Sequence, residues 1–267
     1  MRWLFNVYRG HCRITLARYM QYRVELHIWL AQIVLKPIVF LVVWAAAARA
    51  LGGTLNGFTP SDFAAYFIVA MLVHHFTMAW LMIEWEPLVR TGDLSYMLLR
   101  PSHILHRFIA ENLTFKSATG PFMLATAAAL TFAFKPAFSF QTWSLLAGVP
   151  ALLMGAALFF TITWALGNLS FFTTEIDSVN VAFFLLMLVF SGQMAPIGIS
   201  PPAIQTLAQV LPFWWIIGFP TELILGHLTP AQAARGIATQ AAWVGACCLL
   251  MGWLWRRGVK SYTAVGL

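Results

Sequence analysis

The sequence predicts an all-α integral membrane protein with six transmembrane helices, an amphipathic N-terminal helix and a re-entrant hairpin before the last span. Hydrophobic residues make up 60% of the 267 residues and charged residues only 9%, against about 45–50% and about 25% in soluble domains. The apolar runs are continuous and reach the roughly 20 residues that a membrane helix needs. This pattern excludes a soluble enzyme, a disordered chain, a coiled coil and a β-barrel. The length favours a single transmembrane domain over residues 1–267.

Residues 1–25 are basic and are expected to form a helix on the inner membrane surface. At 100° per residue, four of their arginines fall within an arc of roughly 80°, with apolar residues opposite. Such a helix lies in the membrane interface with its cationic face toward the lipid headgroups. Arg18 falls outside the arc, so a basic flank that only fixes orientation is the alternative. The arginines of the arc are Arg2, Arg9, Arg13 and Arg23.

Six apolar segments follow, each long enough to hold a transmembrane helix. Only a few charged residues, Lys36 among them, interrupt these segments. The predicted spans are 26–50, 62–83, 110–134, 143–167, 178–197 and 234–255.

The distribution of basic residues supports this number of spans. With six spans both termini lie on one side, which receives 13 of the 16 lysines and arginines, while Arg49, Lys135 and Arg235 fall on the other. Cytoplasmic loops carry the excess of basic residues in membrane proteins, so both termini are predicted to be cytoplasmic. The net charge of +7 therefore reflects topology, and nucleic acid is not expected as a partner.

Residues 178–221 form one long window without charge that proline and glycine interrupt. The stretch from Ser191 to Pro202 reads SGQMAPIGISPP, which breaks a helix. A seventh span after it would move the basic C-terminal residues to the outside. Residues 196–226 are therefore predicted to enter and leave by the same face, buried against other helices.

No motif for autonomous chemistry is present. The phosphate-binding loop G-x-x-x-x-G-K-[ST] and the G-x-S-x-G and H-E-x-x-H motifs are absent, so neither ATP hydrolysis by that route nor a resident cofactor is expected. His103 and His106 have no cysteine or carboxylate at ligand spacing, and no metal site is expected. His74, His75 and Lys36 lie in predicted spans, where ionisable residues indicate either a transport pathway or helix packing.

The loop after the second predicted span, residues 84–103, is the most polar segment of the chain. Leu94, Met97 and Leu98 are at helical spacing, and Asp93 is placed to cap a short helix there. A short amphipathic helix in a cytoplasmic loop is typical of protein docking. A solvated connector is the alternative.

This loop and a later region resemble a known family. RTGDLSYMLLRP, from Arg90 to Pro101, is similar to the R-x-G-x-L-x-x-x-L-L-R-P stretch of ABC-2-type transporter permeases. The segments 191–196, 211–213 and 220–226 resemble that family's S-G-x-x-x-P, L-P-F and P-x-E-x-x-x-G patterns. The resemblance is closest to small six-span exporter subunits that pair with a separate ATPase, and it covers nearly the whole chain.

The resemblance implies partners and a mechanism. Two ABC ATPase subunits, which would bind the ATP and magnesium, would dock beneath a permease dimer formed with a second copy or a paralogue. The dimer would lie in the bacterial inner membrane and export a hydrophobic or amphiphilic molecule such as a drug, an antibiotic or a lipid-like compound. Residues 1–25 would be the connecting helix, 84–103 would contain the coupling helix, and 196–226 would gate the external exit.

The resemblance also assigns residues to these sites. Seating on the ATPase is expected to rely on the apolar residues of the coupling loop, because surface ion pairs contribute only about 0–1 kcal/mol. The implied ATPase-coupling residues are Glu86, Arg90, Gly92, Asp93, Leu94, Met97, Leu98, Arg100 and Pro101. The implied external-gate residues are Gly192, Pro196, Pro201, Pro202, Pro212, Pro220, Glu222 and Gly226.

Two other functions stay open at this point. An ion- or proton-coupled carrier without an ATPase would need carboxylates inside the membrane, for which Glu111 and Glu222 are the candidates. A membrane-embedded transferase would use His103, His106 or Glu84, but it needs acid and base groups that converge.

Overall fold

The computed structural model describes residues 2–173 and 176–262, and all the elements in these two ranges are helical, which confirms the all-α prediction. A 3₁₀ turn, Asn168–Phe171, follows α7, and another, Ile197–Ile199, precedes α9. The helices are α1 (Arg2–Gln21), α2 (Arg23–Ala50), α3 (Pro60–Thr77), α4 (Leu81–Arg90), α5 (Leu94–Leu98), α6 (Ile104–Phe134), α7 (Thr142–Gly167), α8 (Asp177–Phe190), α9 (Pro202–Val210), α10 (Pro212–Ile216), α11 (Gly218–Ile224) and α12 (Pro230–Ser261).

Five helical stretches in the described ranges are long and apolar enough to cross a membrane. They are α2, α3 together with α4, α6, α7 with its following turn, and α12. They match five of the predicted spans, although α6 and α12 begin several residues earlier than expected. The second span differs most, because it breaks at residues 78–80 and then continues as helix to Arg90.

The remaining predicted span, 178–197, is shorter in the structure. Its helix α8 has 14 residues, or about 21 Å, against a hydrocarbon core of about 30 Å. The helix ends at Phe190 because the chain turns at Gly192, whose φ is +86°. The predicted end at residue 197 is therefore wrong, and the total of six spans stays a prediction.

Helix α3 lies at the centre of the fold. It is buried on all sides, with Phe63, Tyr66, Phe67 and Met71 among its least exposed side chains. It contacts α2, α6, α7 and α11, and a helix that is apolar all round belongs in such a position. A capping box of Thr59 and Asp62 begins it and satisfies backbone N–H groups of the first turn.

Candidate functional site

The segment between α3 and α6 was expected to be a loop from residue 84, and most of it is helical. α4 carries Glu84, Glu86 and Arg90, so the predicted loop starts seven residues too early. Glu86 is half-buried and Arg90 is exposed. In the break before α4, the Asn112 side-chain amide donates to the carbonyl of Met78 at 3.2 Å, which satisfies a backbone group freed by the break.

A tight turn at Gly92 joins α4 to α5. Gly92 has a φ of +81°, a left-handed conformation that glycine adopts without steric cost. The Thr91 hydroxyl lies 2.8 Å from both the Pro87 carbonyl oxygen and an Asp93 carboxylate oxygen. Asp93 occupies the N-cap position of α5 but makes no capping hydrogen bond. Its predicted capping role is therefore wrong, because its carboxylate interacts with Thr91.

Helix α5 turns its apolar side toward the protein. Leu94 and Met97 are buried in a cluster with residues of α4, α6 and α7, and Leu98 is half-buried. The expectation that Leu94 and Met97 face a partner is corrected by this packing. The exposed surface, named here the coupling tip, consists of Tyr96, Leu99, Arg100 and Pro101.

Trp85 of α4 anchors this segment to three other helices. Its side chain is completely buried. Its ring centroid lies 5.5 Å from that of Phe108 in α6, 4.6 Å from that of Trp164 in α7 and 5.8 Å from that of Trp255 in α12. Such aromatic pairs contribute about 0.5–1.5 kcal/mol each beyond the area they bury. The residue motifs of the sequence did not indicate this anchor.

Two ion pairs flank the anchor. Arg107 donates to Glu111 at 2.9 Å and also contacts the sulfur of Met97 at 3.3 Å. Arg18 of α1 lies 3.9 Å from Glu84. Glu84 was a candidate for acid–base chemistry and Glu111 for carrying protons. Each of these carboxylates is therefore paired with an arginine. Partly exposed pairs of this kind contribute about 0–1 kcal/mol.

The histidines of interest lie in different environments. His103 caps α6 by accepting the backbone N–H two residues on, and burial lowers the pKa of its imidazole. His106 lies 3.2 Å from the Tyr8 hydroxyl of α1. His75 lies 3.3 Å from the Thr119 hydroxyl, as the helix-packing interpretation predicted for this residue. No group of three or more His, Cys, Asp or Glu in the described ranges could hold a metal ion.

Helix α1 packs along α6. Thr15 is buried, and the rings of Tyr19 and Phe115 meet edge to face with centroids 6.0 Å apart. Arg9 and Arg13 are exposed, as a cationic surface requires. A position of this helix in the lipid headgroup layer stays a prediction.

The predicted connecting helix over residues 1–25 is too long. α1 ends at Gln21, and Arg23 begins the next helix, so Arg23 does not belong to the same cationic face. Arg2 lies in α1, but its side chain is outside the described part of the chain.

Residues 191–228, named here the gate segment, contain the predicted gate (196–226) and form a series of turns and short helices. At its start the Tyr66 hydroxyl donates to the Gly192 carbonyl at 2.9 Å. At its end Gly226, with a φ of +78°, turns the chain after α11. Prolines mark most of the boundaries between these pieces. Pro196 precedes the 3₁₀ turn, Pro201 precedes α9, Pro202 and Pro212 begin α9 and α10, and Pro220 lies within α11.

The gate segment is packed against other helices of the protein. α10 and α11 both contact α7, and α11 also contacts α3. The Gln240 side-chain amide of α12 is buried and donates to the carbonyls of Ala151 at 3.0 Å and Trp215 at 2.7 Å. The sequence reading missed Gln240, whose only signal is a polar residue in an apolar helix. Entry and exit of this segment by one face stays a prediction.

A cavity of about 1000 Å³ lies between the gate segment and α12. Its wall includes Trp214, Asp62, Glu222, His227 and Arg235. The Glu222 carboxylate and the Nδ1 atom of His227 are 2.5 Å apart. This hydrogen bond raises the pKa of His227 above its usual value, and the charges of Glu222 and Asp62 act in the same direction against burial.

A second cavity of about 500 Å³ lies between α2, α3 and α8. It is lined by Lys36 and His74, two of the residues for which pathway and packing roles were both open. The Lys36 ammonium donates to the Gln193 side chain at 2.9 Å. Trp29 and Trp80 line this cavity and also a smaller one of about 380 Å³ beside α1.

Comparison with known proteins identifies the family. The sequence model of the family described as "ABC-2 family transporter protein" matches residues 30–266. This range holds α4, α5 and the coupling tip, which together are named here the coupling segment, and it holds the gate segment. It also holds all the residues except Trp29 that line the two larger cavities. No curated protein and no solved structure matches the chain. With nearly its whole length matched, the chain belongs to the ABC-2 transporter family and is an ABC-2-type permease.

Proposed function

We propose that this chain is the membrane subunit of an ATP-driven exporter in the bacterial inner membrane, and that it moves a hydrophobic or amphiphilic small molecule out of the cell. Partner ABC ATPase subunits would bind the ATP and magnesium, since the sequence has no phosphate-binding loop. The observation that carries the proposal is the coupling segment, a short helix fixed to three long helices and ending in an exposed tip.

The coupling tip combines an apolar anchor with positive charge. Leu99 is 86% exposed, and Arg100 and Arg90 are exposed as well. The Arg100 guanidinium lies 5.5 Å from the centre of the Tyr96 ring. Apolar anchors in a pocket dominate binding energy, whereas surrounding charges select the partner and speed its association. We expect Leu99 to enter a pocket on an ATPase whose rim is acidic.

Movement of the tip would reach the membrane through Trp85. Densely packed interiors transmit displacement because they have few voids to absorb it. A push on α5 would therefore shift the aromatic cluster shared with α6, α7 and α12. The break at residues 78–80 gives α4 a point at which it can tilt relative to α3. ATP would act by favouring one of two such arrangements.

The gate segment is suited to release the transported molecule on the side of the membrane opposite the coupling tip. Its short helices are separated by prolines and turns, so they can shift without breaking a long helix. The cavity of about 1000 Å³ beside them lies within the size range of ligand sites, about 300–1000 Å³. Residues 196–226 would thus act as the external re-entrant gate.

The distribution of basic residues supports the proposed orientation of the chain in the membrane. The coupling segment and both termini would be cytoplasmic, since 11 of the 14 lysines and arginines other than Lys36 and Lys116 then lie inside. α1 exposes Arg9 and Arg13 beside the apolar side chains of Phe5 and Ile14, a composition that suits contact with lipid. A second copy or a paralogue would supply the second tip that a pair of ATPase subunits requires.

The test is purification of the tagged chain from its native membrane in mild detergent, with mass spectrometry of the proteins recovered. We expect a soluble ABC ATPase in near-equal amount, and a paralogue if the permease is a heterodimer. Leu99→Glu should lower ATPase recovery about tenfold, or about 1.4 kcal/mol, because it places a charge in an apolar pocket. The control Arg49→Glu, at the far end of α2, should have no effect. Recovery of the chain alone after crosslinking would contradict the proposal.

A further inference from the structure

We propose that the cavity around Lys36 binds a single-tailed amphiphile with one anionic head group. The inference rests on the proposed export function and specifies the class of molecule that this site takes. The cavity is formed by α2, α3 and α8, and its volume of about 500 Å³ is typical of ligand sites, which span about 300–1000 Å³.

Lys36 carries a positive charge deep along a membrane helix. It is the 14th of the 28 residues of α2, about 20 Å from the start of the helix. A lysine at such a position costs roughly 2.5–3.5 kcal/mol on insertion scales, and ionisable residues there mark substrate pathways. Pro37 follows it within the helix. The depth of Lys36 is therefore a reason to expect a ligand.

The charge of Lys36 has no ionic partner in the described part of the chain. Its ammonium donates to Gln193, whose amide is neutral. Neither an aspartate nor a glutamate is among the residues that line the cavity, and the ion pairs found in residues 2–173 and 176–262 do not involve Lys36. An anionic group in the cavity would supply the missing charge.

Further donors face the same space from other helices. His74 of α3 also lines the cavity, and a neutral imidazole carries one N–H donor. Gln32 of α2 and Gln193 after α8 add side-chain amides. Charge-assisted hydrogen bonds to an oxyanion are roughly twice as strong as neutral ones, so a carboxylate or phosphate head group can meet several donors at once.

The remaining wall suits a hydrocarbon tail. It is formed by aromatic, methionine and aliphatic side chains, and methionine adapts its shape to an irregular ligand. An inorganic anion would leave this wall without contacts, and a neutral hydrocarbon would leave the Lys36 charge unpaired. An anionic amphiphile would both pair with the Lys36 charge and contact the apolar wall. The apolar lining includes Phe40, Phe67, Met71, Phe184, Met187 and Leu188.

The binding test uses the purified full chain in a non-ionic detergent and 9,10-dibromostearate as the probe. Bromine quenches tryptophan fluorescence at short range, and Trp29 and Trp80 line the cavity. The neutral probe is the methyl ester of the same acid. We expect the acid to half-saturate the quenching at a concentration about tenfold lower than the ester, equivalent to about 1.4 kcal/mol.

Three variants test the role of the charge. Lys36→Met keeps the side-chain length and should raise the half-saturating concentration of the acid about tenfold, with no change for the ester. Lys36→Arg should bind the acid as the wild type does. Lys116→Met, which removes a lysine of α6 outside this cavity, is the matched control and should also bind normally. Unchanged size-exclusion profiles would show that the variants are folded.

Three results would overturn the inference. They are equal binding of acid and ester by the wild type, unchanged binding of the acid by Lys36→Met, and displacement of the probe by inorganic phosphate or by the two-tailed lipid phosphatidylglycerol. The assay uses neither ATP nor a partner protein. Its failure would therefore leave the export function intact, and failure of the Leu99 test would leave this site intact.

Discussion

The indole rings of Trp29 and Trp80 meet edge to face, with their centroids 4.4 Å apart. Trp29 lies on α2, and Trp80 ends the break between α3 and α4. Both rings line the cavity around Lys36 and the smaller cavity beside α1. The contact therefore connects the start of α4, which leads through α5 to the coupling tip, to the wall of the proposed binding site.

Loss of the contact between Trp29 and Trp80 should destabilise the break at residues 78–80 between α3 and α4. Trp80→Ala is expected to lower the free energy of unfolding by about 2 kcal/mol, less than the roughly 3–5 kcal/mol of a fully buried aromatic residue, because Trp80 is half-buried. In a double-mutant cycle with Trp29→Ala, the coupling energy should be about 0.5–1.5 kcal/mol. Unfolding in SDS, followed by circular dichroism, measures both. Strictly additive effects of the two substitutions would refute a direct interaction.

Leu94 and Leu99 provide a matched pair within the coupling segment. Leu94 is completely buried and Leu99 is 86% exposed. Leu94→Ala should cost about 2–5 kcal/mol of stability by leaving a cavity, whereas Leu99→Ala should stay within about 0.5 kcal/mol of the wild type. SDS unfolding of the isolated chain distinguishes them. A larger loss for Leu99→Ala would mean that α5 is rotated relative to this structure.

The sequence predicts where the helices lie better than which way they face. Long charge-free runs locate most of the spans because about 20 apolar residues are required to cross the membrane. In α5 and the residue that follows it, by contrast, apolar residues occur at 94, 97, 98 and 99, and these positions point in different directions around the short helix. Only packing against Trp85 decides that Leu94 is inside and Leu99 outside.

The sites could not be predicted because they depend on contacts that are distant along the chain. Lys36 and Gln193 are 157 residues apart, and no local pattern relates them. The break at residues 78–80 contains neither glycine nor proline. It is accommodated by Asn112 from α6, which donates to the carbonyl of Met78. The gate prolines, whose effect is local, were located correctly as helix boundaries in most cases.

Gly192 and Gly198 test the turn at the start of the gate segment. Gly192 has a φ of +86°, and a Cβ atom there would lie 2.4 Å from the Tyr66 hydroxyl oxygen, whereas a Cβ on Gly198 would meet no atom within 4 Å. Gly192→Ala should therefore destabilise the protein by about 1–3 kcal/mol through strain and displacement of Tyr66. Gly198→Ala should be close to neutral. Equal thermal stability of the two variants in detergent would argue against this turn.

The pair of Glu222 and His227 should make the stability of the gate depend on pH. Because the hydrogen bond to Glu222 raises the pKa of His227 in the folded protein, the stabilisation is complete below the unfolded pKa of about 6.5. It is then lost as the pH rises through the raised folded value. The expected contribution is below about 1 kcal/mol, since a third of the His227 side chain is exposed.

Glu222→Gln should remove most of this dependence, because a neutral amide does not favour protonated His227 in the way that a carboxylate does. The measurement compares the free energy of unfolding of the wild type and the variant from about pH 5.5 to about pH 8.5, a range that covers the titration of histidine. The difference between the two proteins should shrink as the pH rises, since His227 then loses the proton that the Glu222 carboxylate favours. A difference that grows with pH would mean that Glu222 stabilises the gate without protonated His227.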